Sequence, residues 1–427
     1  MNLKSFCVTA LVATFALGCG TGTECDTYYR DRDKDGFGDP DNSRFTCSQP
    51  RNFVTNDRDC DDRDDTATPT GTYEGDLAID ADNEGDLQAF VAACPGTVAG
   101  NITIINTDRD DIDFLHSVST VEGTLTISNN AELSDLRPLQ NLTDVGGLTL
   151  SLNKGVRDLD ELDNLERAAS LRLSLLLTDE ENDLSVFSDV EGIQDLAINV
   201  TGVNDYAGLP ELTTLSGDLL LGGPSINSLA GIETITSVGG SLTITNFRND
   251  VDMSTLAVTE VGNFLRISDN EGLATVVLPN LTTAGNIDVR NNGPLATLDI
   301  PAVTATGDIV FNSNGSLATF NSAIEDATDL DLTNLPELTT LSGFAGLDQV
   351  ELEGLIVRNT GVTSLEGLEG VETVTGSMQV VGNVDLPAMT GLDGLASVSG
   401  LIQIVNNDRL ASLTGLESLA DATAGIE

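Results

Sequence analysis

The sequence predicts a mainly β protein: a parallel β-solenoid with one short capping helix, preceded by a small irregular metal-binding lobe. Three observations lead there. First, apolar-x-apolar triplets recur at Leu77, Ile102, Leu125, Leu148, Leu171, Leu196, Leu219, Leu242, Leu265, Ile287, Ile309, Leu330, Leu355, Met378 and Ile402. The thirteen intervals from Ile102 to Ile402 average about 23 residues, and all fall between 21 and 25. A period in the twenties indicates a solenoid with one strand-bearing coil per repeat. Second, apolar residues sit two apart in each triplet, as in a half-buried strand, and then three apart: Leu133, Leu136, Leu139, Leu142, Val145 and Leu148. Third, an Asn follows the first triplet residue by four or five positions in eleven of the fourteen coils from Ile102 on.

The three-residue step suits a chain bending repeatedly around a core. A helix needs alternating steps of three and four, and does not tolerate Gly146-Gly147 at a junction. No coil buries its apolar edge alone, so about fifteen coils over residues 70–427 must cover one another. An inward Asn satisfies backbone groups that a tight bend orphans. Tolerance of the left-handed conformation is a compatible second role.

The stretch "GTLTISNNAELSDLRPLQNLTDVGG" at 123–147 resembles the receptor L-domain, a leucine-rich-repeat-like fold found in growth-factor receptor ectodomains and bacterial surface proteins. The resemblance spans residues 75 to 427. It implies a right-handed β-helix and a general binding role, without naming a ligand.

Residues 1–18 carry the signature of a signal peptide: Lys4, then the apolar run "FCVTALVATFAL". The run ends "ALGC", which resembles a lipobox, so Cys19 becomes the lipidated N-terminus and residues 19–24 a flexible tether. Ordinary secretion is the alternative. Acyl chains contribute about 0.8 kcal/mol per buried CH₂, which makes a multiply acylated Cys a durable anchor. Gly20 after the Cys favours the bacterial outer membrane or cell surface over retention in the periplasm.

Residues 25–69 form a Cys- and Asp-rich unit. Asp31, Asp33 and Asp35 alternate, Gly36 follows, a carbonyl at Phe37 takes the seventh place of a calcium loop and Asp39 the ninth. Asn42 stands where an EF-hand has its bidentate Glu. Asp57, Asp59 and Asp61 alternate in the same way and are the expected replacement. The segment has no His, Met or Trp, and its hard oxygen ligands favour Ca²⁺. An acidic, solvated linker is the other reading. "YYRDRDKDGFGD", Cys47, "QPRNFV" and "DCDD" resemble a short metal-binding motif of bacterial surface lipoproteins, similar to thrombospondin type-3 calcium repeats.

Cys25, Cys47, Cys60 and Cys94 are an even number in an extracytoplasmic chain and predict two disulfides. Cys47–Cys60 and Cys25–Cys94 are the expected pairs among three connectivities. Residues 86–94, "DLQAFVAAC", form the predicted cap helix, with Leu87, Phe90, Val91 and Cys94 on one face and Pro95-Gly96 as its stop. The 25-residue step from Leu171 contains "LSLLLTDEENDL", an acidic bulge that is either a protrusion with a function or a tolerated loop.

There are 19 Lys and Arg against 68 Asp and Glu, a formal net charge of −49, which excludes nucleic acid and anionic membrane surfaces as partners drawn by long-range attraction. The middle residue of each triplet faces solvent, giving a flat mixed face roughly 70 Å long at about 4.8 Å per coil. Arg172, Arg266, Arg290 and Arg358 stand out on it as candidates to grip a protein or a glycan through carboxylate or sulfate groups. Decoration that keeps sheets from sticking is the alternative. The uniform intervals leave no room for the loops that build a polysaccharide-cleaving cleft, so the chain is expected to be a recognition module and not an enzyme. A passive or adhesive spacer in the outer-membrane coat is the competing reading.

Overall fold

The computed structural model describes residues 25–427 except 66, 85, 179–182 and 305–306. The expected signal peptide 1–18, the lipidation site Cys19 and the tether 19–24 lie outside the described residues, as do residues 179–182 of the acidic bulge. The chain divides into two compact units between Thr68 and Pro69.

In the first unit β1 (Asp26–Arg30) and β2 (Asp39–Thr46) form an antiparallel hairpin, and β3 (Phe53–Val54) pairs with the other edge of β1. The aspartate loop is the connection of that hairpin. Gly38 is required where the loop returns: a Cβ there would lie 2.4 Å from the Tyr29 Cβ and 2.5 Å from the Asn56 carbonyl oxygen. The hairpin register places Asp26 opposite Thr46, so the residues just outside that pair, Cys25 and Cys47, are neighbours and are disulfide-bonded. This overturns the expected Cys47–Cys60 and Cys25–Cys94 pairs.

The second unit is a mainly β parallel solenoid. Its first triplet residues form one column in register: Leu77, Ile102, Leu125, Leu148, Leu171, Leu196, Leu219 and Leu242, then Leu265, Ile287, Ile309, Leu330, Leu355, Met378 and Ile402. Each strand pairs with those one coil before and one coil after it, so the sheet climbs instead of closing on itself. Burying one such Leu or Ile is worth about 1.5–3 kcal/mol, and every member of the column is buried.

The three-residue step has a local cause. After the strand the chain makes single 3₁₀ turns, among them Arg137–Leu139, Asp160–Leu162 and Ser342–Phe344. Side chains three apart eclipse in that geometry, so Leu136, Leu139 and Leu142 all point into the core. On another side of the coil a threonine ladder ties the turns together. Thr236, Thr259 and Thr282 each donate both the backbone N–H and the hydroxyl to the carbonyl of the Thr one coil earlier.

The two roles expected of Asn belong to adjacent positions. The fourth residue after the triplet start is left-handed, with φ from 52° to 58° at Asn106, Asn129, Asn246, Asn291, Asn334, Asn359 and Asn406. The fifth is buried and forms the ladder. Asn270 donates Nδ2–H to the Ile244 carbonyl (3.0 Å) and its backbone N–H to the Asn292 Oδ1 (3.2 Å). Asn292 repeats this with the Ile267 carbonyl (2.8 Å) and the Asn314 Oδ1 (3.0 Å). Asn130 and Asn153 form a second run, Asn383 and Asn407 a third.

The cap helix α1 is Leu87–Ala93, ending on left-handed Cys94. Phe90 is fully buried, edge-on to Tyr73 (5.1 Å) and Phe114 (6.2 Å). Val91, expected on the inner face, is exposed: so short a helix meets the core along little more than the Phe90 ridge. At the far end Asp421–Ala422, within "LADATAG", pairs with Ser397–Val398, and Ile426 bridges to Ile402.

Candidate metal centre and candidate binding face

The loop after β1 brings the carboxylates of Asp31, Asp33 and Asp35 within 4.8 Å of one another. Each turns back on the loop: the Asp31 Oδ1 accepts the Lys34 N–H (2.6 Å), the Asp33 Oδ1 that of Asp35 (3.3 Å), and the Asp35 Oδ1 that of Phe37 (2.8 Å). The second acidic run returns against them. Asp57 and Asp59 are buried, and the Asp59 backbone N–H bonds the Gly38 carbonyl (3.1 Å). The Oδ2 atoms of Asp33 and Asp35 are buried with no hydrogen-bond partner. Two orphaned carboxylate oxygens on the loop, with buried Asp57 and Asp59 returning against it from the second run, are hard oxygen donors of the kind a divalent cation takes.

The electrostatics agree. Burial pushes the Asp59 carboxyl up to about 7; the Asp61 N–H opposes that, and the negative fields of Asp33, Asp35 and Asp62 add to it. Burial raises Asp35 as well. The cations interleaved in the loop stay outside, with Arg32 and Lys34 exposed. Asp61 is exposed, and the Asp39 Oδ1 accepts the Asp41 N–H (2.9 Å). Asp62 accepts the Arg32 N–H (2.8 Å) and ties the two runs together.

A pH dependence follows. A bound cation needs Asp59 ionised, so below about pH 7 binding must displace a proton and affinity should fall about tenfold per pH unit. With metal chelated the sign reverses. The folded-state value lies above the unfolded one, near 3.9, so protonated Asp59 stabilises the unit at low pH, and that contribution is lost as pH rises through about 7. Calcium titrations at pH 5.5 and 7.5 check the first statement; equal affinities would contradict it.

On the main sheet, the middle triplet residues are half-buried or exposed, as the alternation requires. The four arginines are engaged there, Arg172, Arg266 and Arg358 across coils and Arg290 within its own strand. Asp288 pairs with both Arg266 (3.4 Å) and Arg290, and Arg266 also lies over the Phe264 ring (5.0 Å). Arg172 is 4.0 Å from Asp195. Arg358 bonds the Gln379 Oε1, while its buried Nε has no partner. Arg266 and Arg290 thus form one cluster; Arg172 and Arg358 stand on other coils. Half-exposed pairs of this kind contribute only about 0–1 kcal/mol each, so a ligand carboxylate can replace the internal one. On the Leu330 coil, burial holds Asp329 above the usual carboxylate range, with Asp308, Asp331 and Glu353 adding to the effect.

A pocket elsewhere, about 300 Å³, is lined by Glu122, Asp144, Arg167 and Glu191 among others. Arg167 is ion-paired with Asp144, and no nucleophile–base pair lies in the lining.

Residues 94–170 match the receptor L domain. The matched stretch holds the cap-helix end and the coils from Ile102 to Leu148. A solved internalin from Listeria monocytogenes is similar over 74% of this chain and 89% of its own, at 15% identity and a TM-score of 0.27. So low a score carries no argument about this chain. No curated protein matches it.

One feature of the receptor L domain stretch escaped sequence reasoning. At the left-handed position, where other coils place Asn, Asp, Ser or Gly, the Leu148 coil places Leu152, with φ 55° and 61% exposure. That conformation costs an L-residue other than Gly or Asn roughly 1–2 kcal/mol. The signal was present: a Leu in the Asn slot. It was hidden because a solenoid offers many core leucines.

Proposed function

We propose that this protein is a cell-surface recognition module whose main parallel sheet binds a protein ligand, with Ca²⁺ holding the first unit and a lipid on Cys19 anchoring the chain. The observation that carries the reading is the open ladder itself. It presents outward-facing side chains in register over the whole solenoid, with Arg266, Asp288 and Arg290 clustered at one place and Arg358 at another. Such a surface suits an extended macromolecule better than a small substrate. The match to the receptor L domain, whose relatives act as binding modules, supports the same class and weighs against an enzyme. Asp31, Asp33, Asp35 and Asp59 would hold the Ca²⁺, which supplies positive charge to an otherwise repelling cluster. No helix among the described residues is long and apolar enough to cross a membrane, so in this reading attachment falls to the lipid.

The test is capture of extracellular-matrix proteins and of a glycan array by the full chain. The reading expects saturable binding to a protein, weakened about tenfold or more by Arg266→Glu with Arg290→Glu. Binding to glycans alone would move the ligand to that class. No binding to either would leave a spacer. Membrane association should vanish in Cys19→Ser; its persistence would remove the anchor.

A further inference from the structure

The pocket of about 300 Å³ is a furrow across four consecutive coils, at the run-in to the main strands and ahead of the triplets. What it takes is independent of the protein ligand proposed for the main sheet. It covers the first residues of the strands Thr120–Ser128, Asp144–Ser151 and Arg167–Ser174 and reaches Glu191 and Gly192 on the next coil. Thr120, Asp144, Arg167 and Glu191 stand there side by side in register, so the furrow is about 14 Å long at about 4.8 Å per coil.

Its shape has a backbone cause. An irregularity between Val121 and Thr124 sets Glu122 and Gly123 against Gly146. The chains pass so close that a Cβ on Gly146 would lie 2.4 Å from the Glu122 carbonyl oxygen, which keeps that position bare. Ala169 and Gly192 are small as well, and Val121, Val145 and Ala168 are buried beneath. The side chains of the floor are therefore hydrocarbon, and the charge lies on the rim. Arg167 is the cation among the described lining residues, and Asp144 holds it. Asp144 also accepts the Thr143 hydroxyl (2.7 Å). Glu122 and Glu191 are exposed on the first and last coils, and no ion pair among the described residues includes either. Glu166, next to Arg167, is exposed too, so the furrow keeps a net negative charge.

This chemistry narrows the ligand. An anion is repelled. A single metal ion needs carboxylates that converge, and these stand a furrow's length apart. A peptide would lay its amide groups on apolar side chains that cannot bond them. A linear polyamine offers an ammonium to each end and methylenes to the floor, and a chain of net charge −49 raises its concentration nearby. We propose that this furrow binds an aliphatic polyamine whose terminal ammonium groups pair with Glu122 and Glu191.

The test is calorimetric titration of the full chain with spermine, and with putrescine, which is too short to reach both glutamates. Spermine should fill one site per chain and bind about tenfold tighter than putrescine. Glu122→Gln with Glu191→Gln should lose about tenfold in spermine affinity. Glu351→Gln with Glu372→Gln removes the same charge from distant exposed positions and should change it less than about twofold. Ala169→Leu fills the furrow at constant charge and should also weaken binding, with thermal unfolding as the check that it folds. Many weak sites, equal losses in the two glutamine pairs, or equal affinity for putrescine would each reduce the effect to counterion attraction and overturn the proposal. A lysine-rich 12-residue peptide that binds here where spermine does not would give the furrow to a protein segment instead.

Discussion

Replacing Asp59 with Asn is expected to abolish calcium stabilisation of the first unit while making the metal-free unit more stable. The two effects have one origin. Without a cation, Asp59 is a buried carboxylate in the negative fields of Asp33 and Asp35. Asn removes that charge, so Asp59→Asn should unfold at higher denaturant than the wild type in EDTA. In the proposed Ca²⁺ site Asp59 would be the ligand contributed by the second acidic run, and its loss should weaken affinity about tenfold or more. Extracellular calcium modules bind at about 10⁻⁴–10⁻³ M, so 10 mM Ca²⁺ should stabilise the wild type by about 1.4–2.7 kcal/mol. Denaturation with and without Ca²⁺ reads all of this. If the variant gains as much from Ca²⁺ as the wild type, Asp59 is not a ligand. If neither gains, the loop holds no calcium.

The second large effect concerns the solenoid. Asn292→Ala should destabilise its coils by about 3–5 kcal/mol, because it leaves the Ile267 carbonyl and the Asn270 N–H buried and unpaired, at about 1–3 kcal/mol each, and removes further bonds to Asn314. The adjacent Asn291→Ala should cost only about 1 kcal/mol. Its side chain is exposed, bonds the Asp269 Oδ1 at 3.1 Å, and its main contribution is tolerance of φ 56°. Gly at the two positions separates the roles, since Gly accepts the left-handed backbone at 291 and rescues nothing at 292. Urea midpoints and exchange of the Asn270 amide measure the difference. Comparable losses at 291 and 292 would mean that the buried row is not what secures the coils.

The fold was legible because periodicity is a property of the chain itself: the column from Leu77 to Ile402 can be read by counting. Pairings between distant positions were not legible. Cys25 meets Cys47 because of a hairpin register that no spacing of cysteines reveals. Arg266 looks like an unclaimed cation until the neighbouring coil brings it to Asp288, which already holds Arg290 two residues along its own strand. Two adjacent asparagines were read as one marker because propensity cannot tell a left-handed corner from a buried amide. At the metal loop, alternation identified Asp31, Asp33 and Asp35, while only the returning chain distinguishes buried Asp59 from exposed Asp61.

The row of buried amides also bears on how the rod keeps its alignment. Greasy side chains are nearly interchangeable, so a stack held by them alone could settle with one layer displaced along its strand at small loss. A carboxamide has to lie opposite another carboxamide. Were the Leu265 layer to slip by a single residue, Asn292 would lose its mate at Asn270, and the solvent-facing Asp269 would be carried into the interior in its stead. The polar thread through an oily interior therefore works as a ruler, forbidding displaced stacks more than it strengthens the correct one.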